Sequence, residues 1–200
     1  MARRTFFSFQ YKPDVSRAWV VRNSWMTKVA QGERSDAGFF DSSVFEASQR
    51  ESDDALKRFL REGLSNTTVT CVLVGANTCL SRWVRYEIFR SFMRGNGLLA
   101  VRIHGITSLH SPAALQGDNP FDCLAFTVDN QTVGFKEIKT TGWQPASDVT
   151  TMPLSDVAYD LGGRNNHTFS SIFPIYDWTI NRGYDNLGSW IEAAATHAGR

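Results

Sequence analysis

The sequence has no run of the roughly 18 consecutive apolar residues that a membrane-spanning helix needs. It has no excess of either charge, with 21 Lys and Arg against 20 Asp and Glu, so it carries no overall electrostatic footprint for nucleic acid. Four arginines, Arg82, Arg85, Arg90 and Arg94, make one local basic cluster. Its three cysteines are odd in number and lack C-x-x-C spacing, which argues against a zinc or redox motif. Cys71 and Cys79 sit in or beside apolar runs, and all three read as reduced core thiols. The four histidines show no ligand-like spacing, so no metal site is expected. There is no internal repeat or low-complexity tract, and Met-Ala-Arg-Arg leads straight into a strand with no signal-peptide hydrophobic region. Asn66-Thr67-Thr68 and Asn166-His167-Thr168 match glycosylation acceptors, which without a secretion signal read as chance. These absences predict a soluble, cytoplasmic protein without nucleic-acid or membrane partners.

What is present is alternation of strand and helix. Arg4–Gln10 is an aromatic, alternating first strand, and Pro13-Asp14 ends it and starts a helix. From Val15, residues Ala18, Trp19, Trp25, Met26 and Val29 recur at helical spacing, with Arg22 intruding on the stripe. Gly38-Phe-Phe-Asp41 reads as a short second strand, followed by a polar connection holding Glu46, Glu51, Asp53 and Asp54. Leu56, Phe59 and Leu60 then share one face of a helix over 54–64. Thr68–Val74 is a β-branched apolar run closed by Gly75, the pattern of a strand buried on both faces. Ser81 is placed to cap a helix reaching Arg94, and Leu98–Ile103 is another central strand. This order predicts a parallel sheet with right-handed crossovers, a flavodoxin-like three-layer α/β sandwich with its core at about 4–106. The elaborated remainder, about 107–200, is expected to pack back on that core as one domain of 1–200. Within it, 121–135 is expected to hold one or two strands, 137–170 to be long irregular connection, 172–178 a strand and 187–198 a final helix.

In open α/β sheets, ligands bind where a strand's carboxyl end hands over to a helix. Ser81-Arg-Trp-Val-Arg-Tyr-Glu87 lies at such a place, and its single carboxylate, Glu87, follows Trp83 by one helical turn. Periodicity alone also allows a solvated Glu87 in an ion pair with Arg90, with Trp83 as a packing residue. His104 reads as a core-edge histidine, and Arg22 and Arg85 as snorkelling side chains.

Several boxes in register resemble TIR domains. Thr5-Phe-Phe-Ser-Phe9 is similar to the first box, Gly38-Phe-Phe-Asp41-Ser-Ser43 to the second strand and its loop, and Ser81-x-Trp83-x-x-x-Glu87 to the glutamate box. Val84 stands where many TIR boxes have cysteine. Val21-Arg-Asn-Ser-Trp25, Gly95-Asn-Gly-Leu-Leu99, Arg102-Ile-His104 and the segment from Gly183 to Glu192 more closely resemble the bacterial TIR-like family of the Thoeris antiphage system. The resemblance implies cleavage of the nicotinamide–ribose bond of NAD, with NAD as substrate and no cofactor. It implies Glu87 as the catalytic carboxylate and Ser8, Phe9, Asp41, Ser43 and Trp83 as substrate contacts. It further implies a diffusible cyclic ADP-ribose-type signal for a separate effector protein, a phage-derived trigger and a homo-oligomer. The length and polarity of 107–170 suggest that this region recognises the trigger or a partner. A non-catalytic TIR-like interaction or self-assembly module remains the alternative.

Overall fold

The computed structural model describes residues 3–28, 51–107 and 112–200. The strand expected at 38–41, with Asp41 and Ser43, lies outside the described residues. Four parallel strands, β1 (Thr5–Ser8), β2 (Val69–Val74), β3 (Gly97–Arg102) and β9 (Ile175–Asp177), form one sheet in the order β1-β2-β3-β9. All six residues of β2 are buried, as its unbroken apolar run dictates for a strand covered on both faces. The flavodoxin-like α/β architecture expected from the alternation is therefore present.

Helices α1 (Tyr11–Lys28) and α4 (Gly183–His197) cover one face. Ala18, Val21 and Trp25 of α1 meet Leu187, Ile191 and Ala195 of α4 over Phe7, Leu73 and Val101. Trp19, placed by spacing on the buried stripe, instead stands half exposed with the Arg22 guanidinium 4.5 Å above its ring. The other face carries α3 (Arg82–Met93), capped by the Ser81 hydroxyl, which accepts from Val84 N–H. Next to α3 lies α2 (Asp53–Ser65), capped by Ser52, which accepts from Ala55 N–H.

The strands expected within 121–135 are present as β4 (Leu124–Asp129) and β5 (Thr132–Lys139), and the largest departure from the sequence expectation is 137–170, which is not an irregular connection. Together residues 124–168 form a five-stranded antiparallel sheet. β4 lies between β5 and β8 (Asn166–Thr168), while β6 (Gly142–Pro145) and β7 (Met152–Pro153) both pair with β5. β6, β7 and β8 escape notice because they are short and lie among polar residues and turns rich in Asn, Gly and Thr. The inner residues of β4 and β5 are apolar. Phe126 and Phe135 stack around Phe92 of α3 at centroid distances of 4.8 and 5.7 Å. Helix α3 is consequently enclosed by the parallel sheet, the antiparallel sheet and α2.

That enclosure also corrects the reading of the cysteines. Cys71 is a free, buried thiol as expected, but Cys79 in the loop before α3 is joined to Cys123, just ahead of β4, across 44 residues. They meet because the antiparallel sheet folds back over α3, a long-range pairing that sequence spacing cannot show. Loop closure of that length predicts that Cys79→Ser lowers the stability of the oxidised protein by about 4 kcal/mol. The same substitution should change nothing under a thiol reductant. Paired urea denaturation curves with and without reductant check both halves of the prediction.

Candidate active site

Glu87 projects from the second turn of α3 towards the end of β1, and only 5% of it is exposed. The Ser8 hydroxyl donates to Glu87 Oε2. Ser8 is the last residue of β1 and pairs in register with Val72, whose side chain belongs to the core on the α3 face. Alternation along the strand therefore aims Ser8 at α3. The helix is fixed in rotation by Val84, Ile88 and Phe92 in the core, and by Ser91, whose hydroxyl lies 2.7 Å from Thr70 Oγ1.

The surface ion pair that periodicity allowed is absent. Arg90 directs its guanidinium to Met93 Sδ at 3.7 Å, and no cation of the described residues pairs with Glu87. The helical wheel misleads here because it assumes one buried face, whereas α3 is covered on three sides. Burial pushes the Glu87 carboxyl up from 4.5 to about 8, against the opposing pull of the Ser8 hydrogen bond. Between those values the folded protein keeps the neutral acid.

The other expected contacts divide. Ser8 is brought to Glu87. Phe9 packs on the α1 side of the sheet, with its ring 6.1 Å from that of Tyr11. Trp83 lies one turn before Glu87 but packs with Phe59, Leu56 and Leu60 of α2 and edge-on to Tyr86 at 6.2 Å. Arg82 stacks over Trp83 and pairs with Asp53 and Asp148, at 2.6 and 2.7 Å. Lys57 joins Asp148 from α2 at 2.8 Å, and these two cations hold the Asp148 carboxyl well below the usual range. Arg85 reaches the Cys79 carbonyl at 2.8 Å and Glu137 at 3.2 Å, so it clamps the antiparallel sheet to the loop before α3. The basic cluster of the sequence is thus committed to internal pairing. His104 places Nδ1 3.7 Å from Asp177 Oδ2, at the carboxyl ends of β3 and β9.

Asp14 is a residue that sequence reasoning took only for a helix start. It is 1% exposed, and its polar neighbours are Arg17 Nη1, 3.8 Å away, and the Thr78 side chain. The carboxylate rests directly against Gly75 at the end of β2, where a Cβ would overlap it. Burial raises Asp14 from 3.8 to about 6, with Arg17 and the Thr78 hydroxyl opposing. The signal available in the sequence was an acid directly after Pro13 combined with a glycine closing a buried strand. Their proximity is a tertiary fact.

The parallel sheet flanked by helices, with the buried Glu87 held by a hydroxyl from the first strand at its carboxyl edge, is an α/β fold consistent with the TIR-like class. The family model described as "Thoeris protein ThsB, TIR-like domain" matches residues 6–108. A Bacillus cereus (strain MSX-D12) protein named "Putative cyclic ADP-D-ribose synthase ThsB1" is 37% identical over 194 residues, covering 96% of this chain and all of the relative. The chain belongs to the Thoeris ThsB TIR-like family.

Proposed function

We propose that this protein cleaves the nicotinamide–ribose bond of NAD and forms a cyclic ADP-ribose-type signal that acts on a separate effector. The observation that carries the reading is Glu87, a buried carboxyl held by Ser8 at the carboxyl edge of the parallel sheet. The name of the Bacillus cereus relative supports the cyclic product.

The chemistry asks little of the protein. The nicotinamide ring already carries positive charge, so it departs with the bonding electron pair and needs no general acid, unlike an ordinary sugar leaving group. The oxocarbenium cation left behind is stabilised by an adjacent carboxylate, more strongly in a site shielded from water. Glu87 in its neutral form does not supply that charge. The cationic nicotinamide riboside, brought beside it, lowers its pKa, so the proton passes to solvent as substrate binds and the carboxylate anion faces the reacting carbon. Ser8 keeps the carboxyl oriented. Attack on the ribose carbon by water yields ADP-ribose and attack by a ribose hydroxyl yields a cyclic isomer, each releasing the attacking oxygen's proton to solvent; attack by a ring nitrogen of the substrate's own adenine uses its lone pair and yields a cyclic isomer with no proton lost from the attacking atom. Phe9, Asp41 and Ser43 are assigned to substrate contacts, and Trp83 to an apolar wall one turn above Glu87. A phage-derived trigger, assembly into a homo-oligomer and a cytoplasmic location complete the proposal.

Incubating the protein with NAD, with and without phage-infected-cell extract, and resolving products by mass spectrometry tests it. Release of nicotinamide with a product of the mass of NAD less nicotinamide is expected. Intact NAD under every triggering condition would sink the reading and favour a non-catalytic module. Ser8→Ala offers a finer check: without the hydroxyl, Glu87 loses the interaction that lowers its pKa, so the alkaline rise of the pH–rate profile should move to higher pH. Turnover at pH 7 should drop about tenfold, the loss expected when a buried hydrogen bond to a charged group is removed.

A further inference from the structure

The outer face of the antiparallel sheet, turned away from α3, holds a depression of about 290 Å³. Cross-strand register explains its shape. One row across the sheet reads Thr168, Ala125, Lys136, and the next reads Asn166, Thr127, Gly134. Small side chains therefore form the floor, and Gly134 removes one altogether. Trp143 closes one end beside its cross-strand partner Ile138, and both are exposed, at 41% and 39%. His167, on the inward side of β8, stacks on Phe126 at 4.8 Å and backs the floor.

Three features point to a ligand with a flat ring and an anion. The Trp143 indole makes no ring contact among the described residues. Lys136 meets no carboxylate among the described residues; its neighbour Glu137 faces the other way and is taken by Arg85 and Lys139. Thr127, Thr168 and Asn166 add hydroxyl and amide donors beyond the lysine. Trp143 and Lys136 lie on adjacent strands two residues out of register, a separation of about 8 Å, near the span from base to phosphate in a mononucleotide. The volume is at the lower limit for small-molecule sites, about 300 Å³, which excludes a dinucleotide.

We propose that this depression is a second ligand site that binds a nucleoside monophosphate, the base against Trp143 and the phosphate at Lys136. It lies on the opposite side of the antiparallel sheet from α3 and does not depend on the reaction assigned to Glu87.

The test is a titration of the full chain with AMP, adenosine and ribose 5-phosphate, following the indole N–H signals by NMR, with the Trp143 signal assigned through Trp143→Phe. AMP is expected to move that signal with a dissociation constant of about 10–100 µM, and each half-molecule to bind at least about tenfold more weakly. Lys136→Gln should weaken AMP and ribose 5-phosphate about tenfold while sparing adenosine, and Trp143→Ala, which lacks the reporting indole and is titrated by isothermal calorimetry, should weaken AMP and adenosine. Thermal melts that match the unsubstituted protein show that each variant is folded. The proposal is overturned if the Trp143 signal stays still up to about 5 mM AMP, well beyond the expected range. It is equally overturned if neither variant changes AMP binding, or if AMP binding disappears in Glu87→Gln and survives both surface variants.

Discussion

Glu87→Gln is expected to reduce NAD turnover about a thousandfold and, in the same protein, to raise stability at alkaline pH. The two effects share one cause, a carboxyl that burial disfavours as an anion. Below about pH 4.5 both folded and unfolded chains hold the proton, and Glu87 contributes nothing to the pH dependence. From 4.5 to about 8 the unfolded chain loses its proton while the folded chain retains it, so stability falls as pH rises. Above about 8 both states are ionised and the full cost, about 5 kcal/mol, is present. Glutamine keeps the shape and still accepts from Ser8 but carries no charge. Urea denaturation at pH 5 and pH 9 should therefore show the variant nearly equal to the parent at the first and clearly more stable at the second. Equal stability at pH 9 would mean that Glu87 is not buried as described, whereas unchanged NAD consumption would remove it from catalysis.

Gly75→Ala should destabilise the protein by about 3 kcal/mol, because the added methyl overlaps the buried Asp14 carboxylate, which must shift to admit it. The informative measurement is the double substitution. Asp14→Ala alone should have a small effect at low pH, where the carboxyl is neutral, and should be stabilising above about pH 6, where burial disfavours the anion. The sign follows that of Glu87: the folded-state value is raised, so stability associated with the neutral acid is lost as pH passes from 3.8 to about 6. Combined with Asp14→Ala, Gly75→Ala should lose most of its cost, giving a coupling energy of about 2 kcal/mol in a double-mutant cycle. Additive effects would show that Gly75 is required for its backbone conformation and not for its contact with Asp14. NAD turnover of Asp14→Ala, measured alongside, shows whether this second acid at the sheet edge also serves the reaction.

The local rules that made the strands and helices legible are the same ones that hid the setting of the site. Val69–Val74 announces a doubly covered strand because each residue is apolar, and Ser81 announces a helix start because its hydroxyl accepts from Val84. Glu87 is legible through its place after that strand and through boxes in register, not through periodicity, which alone leaves it on the surface. The helical spacing places Trp83 on α3 but does not show its partners, since α2 and its Leu56 and Leu60 lie far along the chain.

By itself the sequence determined the alternation of the parallel core, the helix that carries Glu87 and its position at a strand's carboxyl end, because hydrophobic period, capping and glycine placement are local and need only neighbouring residues. Only the tertiary structure decided that β8 closes the antiparallel sheet beside β4, that Cys79 meets Cys123, that Ser8 holds Glu87 and that Asp14 rests against Gly75. Each of these joins residues separated by tens of positions. The enclosure they create sets the charge state of the two acids, because a carboxyl's pKa depends on what surrounds it in space and not on what precedes it in the chain.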